Sequence, residues 1–192
     1  MVALAAEAQG CRACDLWKRG TQTVFGQGPA NARVALVGEQ PGDEEDRAGV
    51  PFVGPAGRLL DEAVDDAGLD RRKLYVTNAV KHFKWEARGK RRIHDKPNRT
   101  EVVACHHWLE QELAVLRRDA VLVALGATAG QSLFGPKFRV GASRGVDLEL
   151  DGHPVVATIH PSAVLRARSS AEREASYGGL VDDLRRAARL AS

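Results

Sequence analysis

Long apolar runs are missing from this sequence. No stretch approaches the length needed to cross a membrane, and nothing near the N-terminus has the basic start and apolar core of a signal peptide. Cysteine is scarce, and its count of three is odd, which argues against a disulfide framework and fits a reducing, cytoplasmic setting. Internal repeats, low-complexity tracts and linkers are absent as well. Net charge is only +3, so the field of the whole molecule excludes few partners. What is present is an ordinary globular balance, 44% hydrophobic and 28% charged over 192 residues, enough for one domain over 1–192 with a proper core.

Strand and helix patterns alternate along the chain. Arg33–Gly38, Leu74–Val80 and Ala120–Gly126 are short apolar runs of the kind buried parallel strands show. Pro154–Ile159 is a fourth, and Val146–Leu150 alternates like a more exposed strand. Between them, Gly57–Ala67 carries Leu59, Leu60, Ala63, Val64 and Ala67 on one side, with Gly68 as a stop. Glu101–Leu116 reads as a helix capped by Thr100, Ala127–Leu133 as a short one, and Ala171–Leu190 as a closing amphipathic helix. The expected fold is a three-layer α/β/α domain with a central, mostly parallel sheet. In such folds ligands bind beyond the carboxyl ends of the strands, so the residues that follow strands share one rim.

Two segments on that rim carry chemistry. Gly38-Glu39-Gln40-Pro41-Gly42-Asp43 is an acidic turn directly after a strand, and Lys90-Arg91-Arg92-Ile93-His94 ends a basic run with one imidazole. A polycation attracts phosphate, and a carboxylate beside a histidine can orient it as a nucleophile. Eight basic residues lie between Lys81 and Arg99 against Glu86 and Asp95. That excess suits a phosphate-facing loop and equally suits a solvated connection. Cys11-Arg12-Ala13-Cys14 is a chelating pair, with Cys105 far along the chain and His82, His106 and His107 as candidates for a fourth position. Zinc held by three cysteines and a histidine, an iron–sulfur cluster, and an incidental pair beside a core thiol all remain open on spacing alone.

The chain resembles the iron–sulfur uracil-DNA glycosylases over almost its whole length. The resemblance is carried by Cys11-x-x-Cys14, Gly38-Glu39-Gln40-Pro41-Gly42, Pro51-Phe52-Val53-Gly54-Pro55-Ala56-Gly57 and Tyr75-Val76-Thr77-Asn78-Ala79-Val80-Lys81, then by Leu125-Gly126-Ala127-Thr128 and His160-Pro161-Ser162. Gln40 and the Lys90–His94 run are similar to one branch, usually called UdgX, whose members stay covalently attached to the site they create. One departure from the wider family is His82, where those enzymes carry a cysteine.

The resemblance implies a uracil-DNA glycosylase-like fold and a 4Fe–4S cluster held by Cys11, Cys14, His82 and Cys105. It implies that Phe52 stacks on a flipped uracil, that Asn78 reads the O4 and N3–H edge, and that His160 donates to O2 as negative charge develops there. Glu39 and Asp43 would supply negative charge to the sugar cation. His94 would capture C1′ with Glu39 holding its ring. Gln40 and Gly42 are placed among the substrate-contacting residues, with Gln40 positioning backbone or water nearby, and Arg91 and Arg92 tether phosphate. The expected partner is uracil-containing DNA, single-stranded by preference, bound by a monomer with no membrane role. Two other functions compete: a turnover glycosylase that releases a free abasic site, and a metal-stabilised binding module without catalysis. The binding module leaves Glu39, Asn78 and His160 unexplained, and an electron-transfer role leaves most of the domain without a task.

Overall fold

The computed structural model describes residues 1–192. In chain order the elements are α1 (Val2–Ala8), β1 (Val34–Gly38), α2 (Asp43–Ala48), α3 (Pro55–Asp66), β2 (Tyr75–Asn78), β3 (Trp85–Arg88) and β4 (Arg91–His94), followed by α4 (Arg99–Val115) and β5 (Val121–Leu125). The chain continues with α5 (Ala127–Phe134), α6 (Val140–Ser143), β6 (Leu148–Leu150), β7 (His153–Thr158), α7 (Pro161–Leu165) and α8 (Ser170–Leu190). Five strands form one sheet in the order β2-β1-β5-β7-β6. All neighbours are parallel except the edge strand β6, which runs antiparallel to β7. No helix is long and apolar enough to cross a membrane.

Strand alternation explains why both faces are covered. Val34 and Leu36 of β1 face one apolar cluster, with Val121, Val123 and Leu125 of β5, and meet α3 and α8 there through Leu60, Val64, Leu180 and Leu184. Ala35 and Val37, with Leu122 and Ala124, face the opposite cluster under α4 and α5 through Leu109, Ala129 and Leu133. The central strands β1 and β5 are therefore apolar on both sides, as a fully covered parallel sheet requires. The five apolar residues expected on one side of the third helix, Leu59, Leu60, Ala63, Val64 and Ala67, all lie in the first cluster. Truncating a fully buried member such as Leu60 or Leu122 to alanine costs about 2–5 kcal/mol.

Three local expectations are corrected. The basic segment is no open connection but a two-stranded antiparallel hairpin, β3–β4, with Trp85 opposite His94 and Arg88 opposite Arg91. Gly89, at φ 60°, takes the first place of its two-residue turn, where a II′ hairpin favours glycine. The cap of α4 is Asn98 and not Thr100: Asn98 accepts from Glu101 N–H at 2.9 Å while Glu101 returns a carboxylate to Asn98 N–H at 2.7 Å. The acidic turn also runs straight into a helix, with Asp43, Glu44, Glu45 and Asp46 in the first turn of α2, where the helix dipole favours negative charge.

Candidate active site

The carboxyl ends of β1, β2, β5 and β7 open onto a pocket of about 930 Å³. Its lining includes Glu39, Gln40, Phe52, Asn78, His94, Thr128 and His160. Each side chain arrives there for a local reason. Asn78 ends β2 directly opposite Gly38 of β1. A Cβ at Gly38 would collide with both the Asn78 amide and the Phe52 ring, so only glycine lets these two groups share that floor. Phe52 is held with a left-handed backbone at φ 58°, rare for an aromatic residue, and Gly57 gives its carbonyl the room it needs. The Asn78 Oδ1 is buried without a hydrogen-bond partner, an acceptor left for something that enters the pocket.

His160 caps α7. Its Nδ1 accepts from Ser162 N–H at 3.2 Å, which leaves that nitrogen unprotonated and puts the ring proton on Nε2, available as a donor. Burial holds the imidazole pKa down to about 4, against the nearby Glu39 charge that would raise it. At neutral pH it is therefore an uncharged Nε2–H donor. Burial works on Glu39 in the opposite sense, raising its pKa. Hydrogen bonds from His94 and Thr128, with the two nearby imidazoles, outweigh it and hold the carboxyl below its ordinary value. Glu39 Oε1 lies 3.4 Å from His94 Nε2, and the Thr128 hydroxyl donates to Oε2.

His94 comes from the hairpin, and the hairpin is fastened by polar contacts. Gln40 is its clamp. The amide Nε2 donates to Lys84 O at 3.2 Å and Asp95 O at 2.9 Å, and Oε1 accepts from Lys84 N–H at 3.1 Å. Every polar atom of that side chain is engaged with the two ends of the hairpin, so Gln40 holds the hairpin and has no group left for a base. Arg92, expected to face phosphate, turns inward: it pairs with Asp43 and with fully buried Asp46 at 2.6 Å, and lies 5.5 Å from the rings of Phe83 and Trp85. A fully buried carboxylate is the reason: Asp46 accepts from the N–H and the hydroxyl of Thr21, and Arg92 supplies the one cation beside it. Asp43 is spent in the same way. Burial would raise its pKa, but Arg47 and Arg92 keep it low, and its charge faces those guanidiniums. Gly42 donates its N–H to Glu45 at 3.0 Å as the cap of α2. Arg91 is exposed at the hairpin tip.

Sequence reasoning missed three supports. Glu45 is buried and accepts from Gly42 N–H at 3.0 Å and Gly54 N–H at 2.7 Å, joining the acidic turn to the Phe52 loop. Lys81 is wholly buried; its ammonium pairs with Glu112 and donates to Asn78 O and Thr77 Oγ1, both at 2.7 Å. Thr128 is the third. The signals existed: Lys81 interrupts the apolar run Ala79-Val80, and Glu112 occupies the i+7 place of a buried stripe with Cys105, Trp108 and Leu109.

The cysteines gather on the other side of β2. Cys11, Cys14 and Cys105 share an apolar cluster with Ala8, Leu16, Phe25, Val80 and Trp108. Burial pushes the Cys105 thiol up to about 11, with the two other cysteines adding to the rise. Two N–H groups point at sulfur: Lys81 N to Cys105 at 3.2 Å and Trp108 Nε1 to Cys11 at 3.1 Å. No three His, Cys, Asp or Glu side chains converge tightly enough to close on one metal ion. His82 is buried with Nε2 3.0 Å from Thr23 Oγ1. That hydroxyl gives its only proton to Ala8 O at 2.9 Å, so toward His82 it can only accept. The Nε2 of His82 therefore carries the proton and Nδ1 the lone pair, the arrangement of a histidine ligand held by its other nitrogen. Three sulfurs in one cluster and an imidazole with a free lone pair are donor types that both zinc and an iron–sulfur cluster accept. His106 and His107 contact Ser132, Glu110 and Trp108 on the flank of α4.

The sequence profile of the uracil DNA glycosylase superfamily matches residues 25–185. A type-4 uracil-DNA glycosylase of Thermotoga maritima is 40% identical over 163 residues, 83% of this chain and 80% of that protein. The type-4 enzyme of Archaeoglobus fulgidus is 37% identical over 167 residues, again 83% and 80%. The type-5 enzyme of Thermus thermophilus is 34% identical over 124 residues, 57% of this chain and 53% of that protein. The chain belongs to the uracil-DNA glycosylase superfamily.

Proposed function

We propose that this member of the superfamily excises uracil from DNA and that His94 then bonds to C1′ of the deoxyribose it leaves. The observation that supports capture is the 3.4 Å approach of His94 Nε2 to Glu39 Oε1 at the mouth of the pocket that holds Asn78, Phe52 and His160. In this reading uracil enters the pocket flipped out of its strand and stacks on Phe52. Asn78 Nδ2 donates to O4 and the orphaned Oδ1 accepts from N3–H; cytosine, with an amino group at C4 and no proton on N3, satisfies neither. The N-glycosidic bond breaks with its electron pair passing to uracil N1. Charge delocalised onto O2 is met by the Nε2–H of His160, and a neutral donor is suited to this because it stabilises the anion without first transferring a proton.

The sugar is left as an oxocarbenium-like cation facing Glu39. The lone-pair nitrogen of His94 attacks C1′, and the proton on the other ring nitrogen passes to Glu39, so the adduct is a neutral N-alkyl imidazole. The uracil anion is protonated from solvent. The exposed cations Lys90, Arg91, Lys96 and Arg166 ring the pocket and hairpin, and they suit the backbone of a single-stranded DNA partner. A 4Fe–4S cluster held by Cys11, Cys14, His82 and Cys105 would tie the N-terminal segment to α4 and to the end of β2. Bound there, it would supply structural linkage.

A second reading has its own support. Relatives at 37–40% identity are named type-4 uracil-DNA glycosylases, and in a turnover enzyme Glu39 would activate a water at C1′ and leave a free abasic site. His94→Ser separates the two. The covalent reading expects the variant to lose the heat- and SDS-resistant DNA adduct while still releasing uracil, now over repeated cycles because water reaches C1′. Wild-type protein that releases uracil repeatedly, with no adduct, would establish turnover instead.

A further inference from the structure

Four carboxylates line the pocket, and they are disposed of differently. Asp43 is neutralised by Arg47 and Arg92, and Glu44 pairs with Arg58 at 3.1 Å. Glu45 is consumed by the Gly42 and Gly54 N–H groups. Glu39 is the one of the four with neither a cationic side chain of fixed charge nor a backbone N–H on its carboxylate. Its backbone is pinned, since Val80 N–H donates to Glu39 O at 2.9 Å, but its two carboxylate oxygens have one partner each. Oε1 faces His94 on the hairpin, and Oε2 takes the hydroxyl proton of Thr128, the second residue of α5. Thr128 is buried, carried by the β5 end of the sheet body and not by the hairpin.

We infer that Thr128 is a positioning residue that fixes the rotation of Glu39 so that Oε1 meets His94. The inference rests on the reading that Glu39 serves His94. A hydroxyl suits the task where a lysine or arginine would not. It donates one hydrogen bond and so favours the ionised carboxylate, yet it leaves the full negative charge to face the sugar cation and the imidazole. It also decouples the two sides of the carboxylate. The body of the protein holds one oxygen while the hairpin presents its histidine to the other, so a small hairpin movement does not swing the acceptor away. Without the hydroxyl, Oε2 would lose its one fixed donor and the carboxylate would be free to turn.

The groups that face Glu39 are His94 from β4, His160 from the start of α7, and Thr128 from α5. Removing the Thr128 donor withdraws one of the interactions that keep the Glu39 pKa low, so that pKa rises and the acidic limb of any Glu39-dependent step moves to higher pH. The experiment compares wild type with Thr128→Val, Thr128→Ala and Thr128→Ser between about pH 3.5 and 8, a range that includes the Glu39 limb below its ordinary carboxylate value. Both uracil release and heat-resistant adduct are measured on uracil-containing single-stranded DNA, with thermal melting as the control for folding. Adduct formation in Thr128→Val and Thr128→Ala is expected to slow by roughly ten- to a hundredfold, the loss of one hydrogen bond to a charged group. The acidic limb moves upward in both, and Thr128→Ser returns rate and limb to within about threefold of wild type, as expected for loss of one methyl while the charged hydrogen bond is kept. A folded hydroxyl-free variant with wild-type rate and an unmoved limb overturns the inference. If wild type itself makes no adduct, the covalent reading fails separately, and the acidic limb of uracil release still decides whether Thr128 positions Glu39.

Discussion

The floor of the pocket and the hairpin at its mouth are built on opposite principles. Asn78, Phe52 and His160 stand on strand ends and loops that emerge from two apolar clusters, and close glycine contacts fix their places. His94 stands on a two-stranded ribbon with almost no core of its own. It is held by the Gln40 clamp, the Arg92–Asp46 ion pair and Trp85, whose indole N–H donates to Arg19 O at 2.9 Å. An isolated hairpin is marginal in water, so these ties decide whether the histidine is where the chemistry needs it. In the proposed mechanism, base recognition and covalent capture are therefore mechanically separable: damage to the floor is expected to remove both, and damage to the hairpin ties to remove capture alone.

The largest effect is expected on the floor. His160→Ala removes the donor proposed for O2 and is expected to slow uracil release by about 10²–10³, with adduct formation falling in step because no cation forms to be captured. Release assays under single-turnover conditions check this, and a variant with normal release would break the comparison at its base. Next come the hairpin ties. Arg92→Met leaves buried Asp46 unpaired and lets the ribbon shift; capture is expected to fall roughly a hundredfold while uracil release changes little, since a displacement near 1 Å is enough for such a loss. Equal losses in both assays would show that floor and hairpin act as one unit.

The sheet, its two covering layers and the residues on its rim were legible in the sequence because they follow from local patterns. Strand runs such as Val34–Gly38 are apolar on both faces, and functional groups follow directly after them. The hairpin was not legible. Its strands, Trp85–Arg88 and Arg91–His94, are mostly polar, and Gly89 was the lone turn signal inside what reads as a charge run. Arg92 illustrates the limit. An arginine in a basic loop is expected to seek phosphate, and only three-dimensional proximity reveals that Asp46, from the buried side of α2, has already claimed it. Gln40 is a similar case, since its partners are backbone groups 44 and 55 residues away. The Cys11–Cys14 pair was visible, but the orientation of His82 depends on the single proton of Thr23 and has no signature in spacing.

The smallest effect concerns pH. The imidazole of His160, with an ordinary pKa of 6.5 lowered to about 4, stays neutral in the folded protein while the unfolded chain takes up a proton between those values. Stability is therefore fully present above about pH 6.5 and falls as pH drops toward 4, by at most roughly 3 kcal/mol from this group. His160→Gln is expected to flatten that part of the melting-temperature profile between pH 7 and 5 relative to wild type. An unchanged slope would mean that His160 titrates freely and cannot be the neutral donor at O2.

In the proposed mechanism the hairpin histidine becomes bonded to the sugar. The most direct measurement is mass spectrometry of wild-type protein incubated with a short uracil-containing single strand, digested and mapped by peptide. The nucleotide-derived mass is expected on His94, with free uracil released in equal amount. Modification at any other residue, or unmodified peptides alongside a free abasic strand, would contradict it.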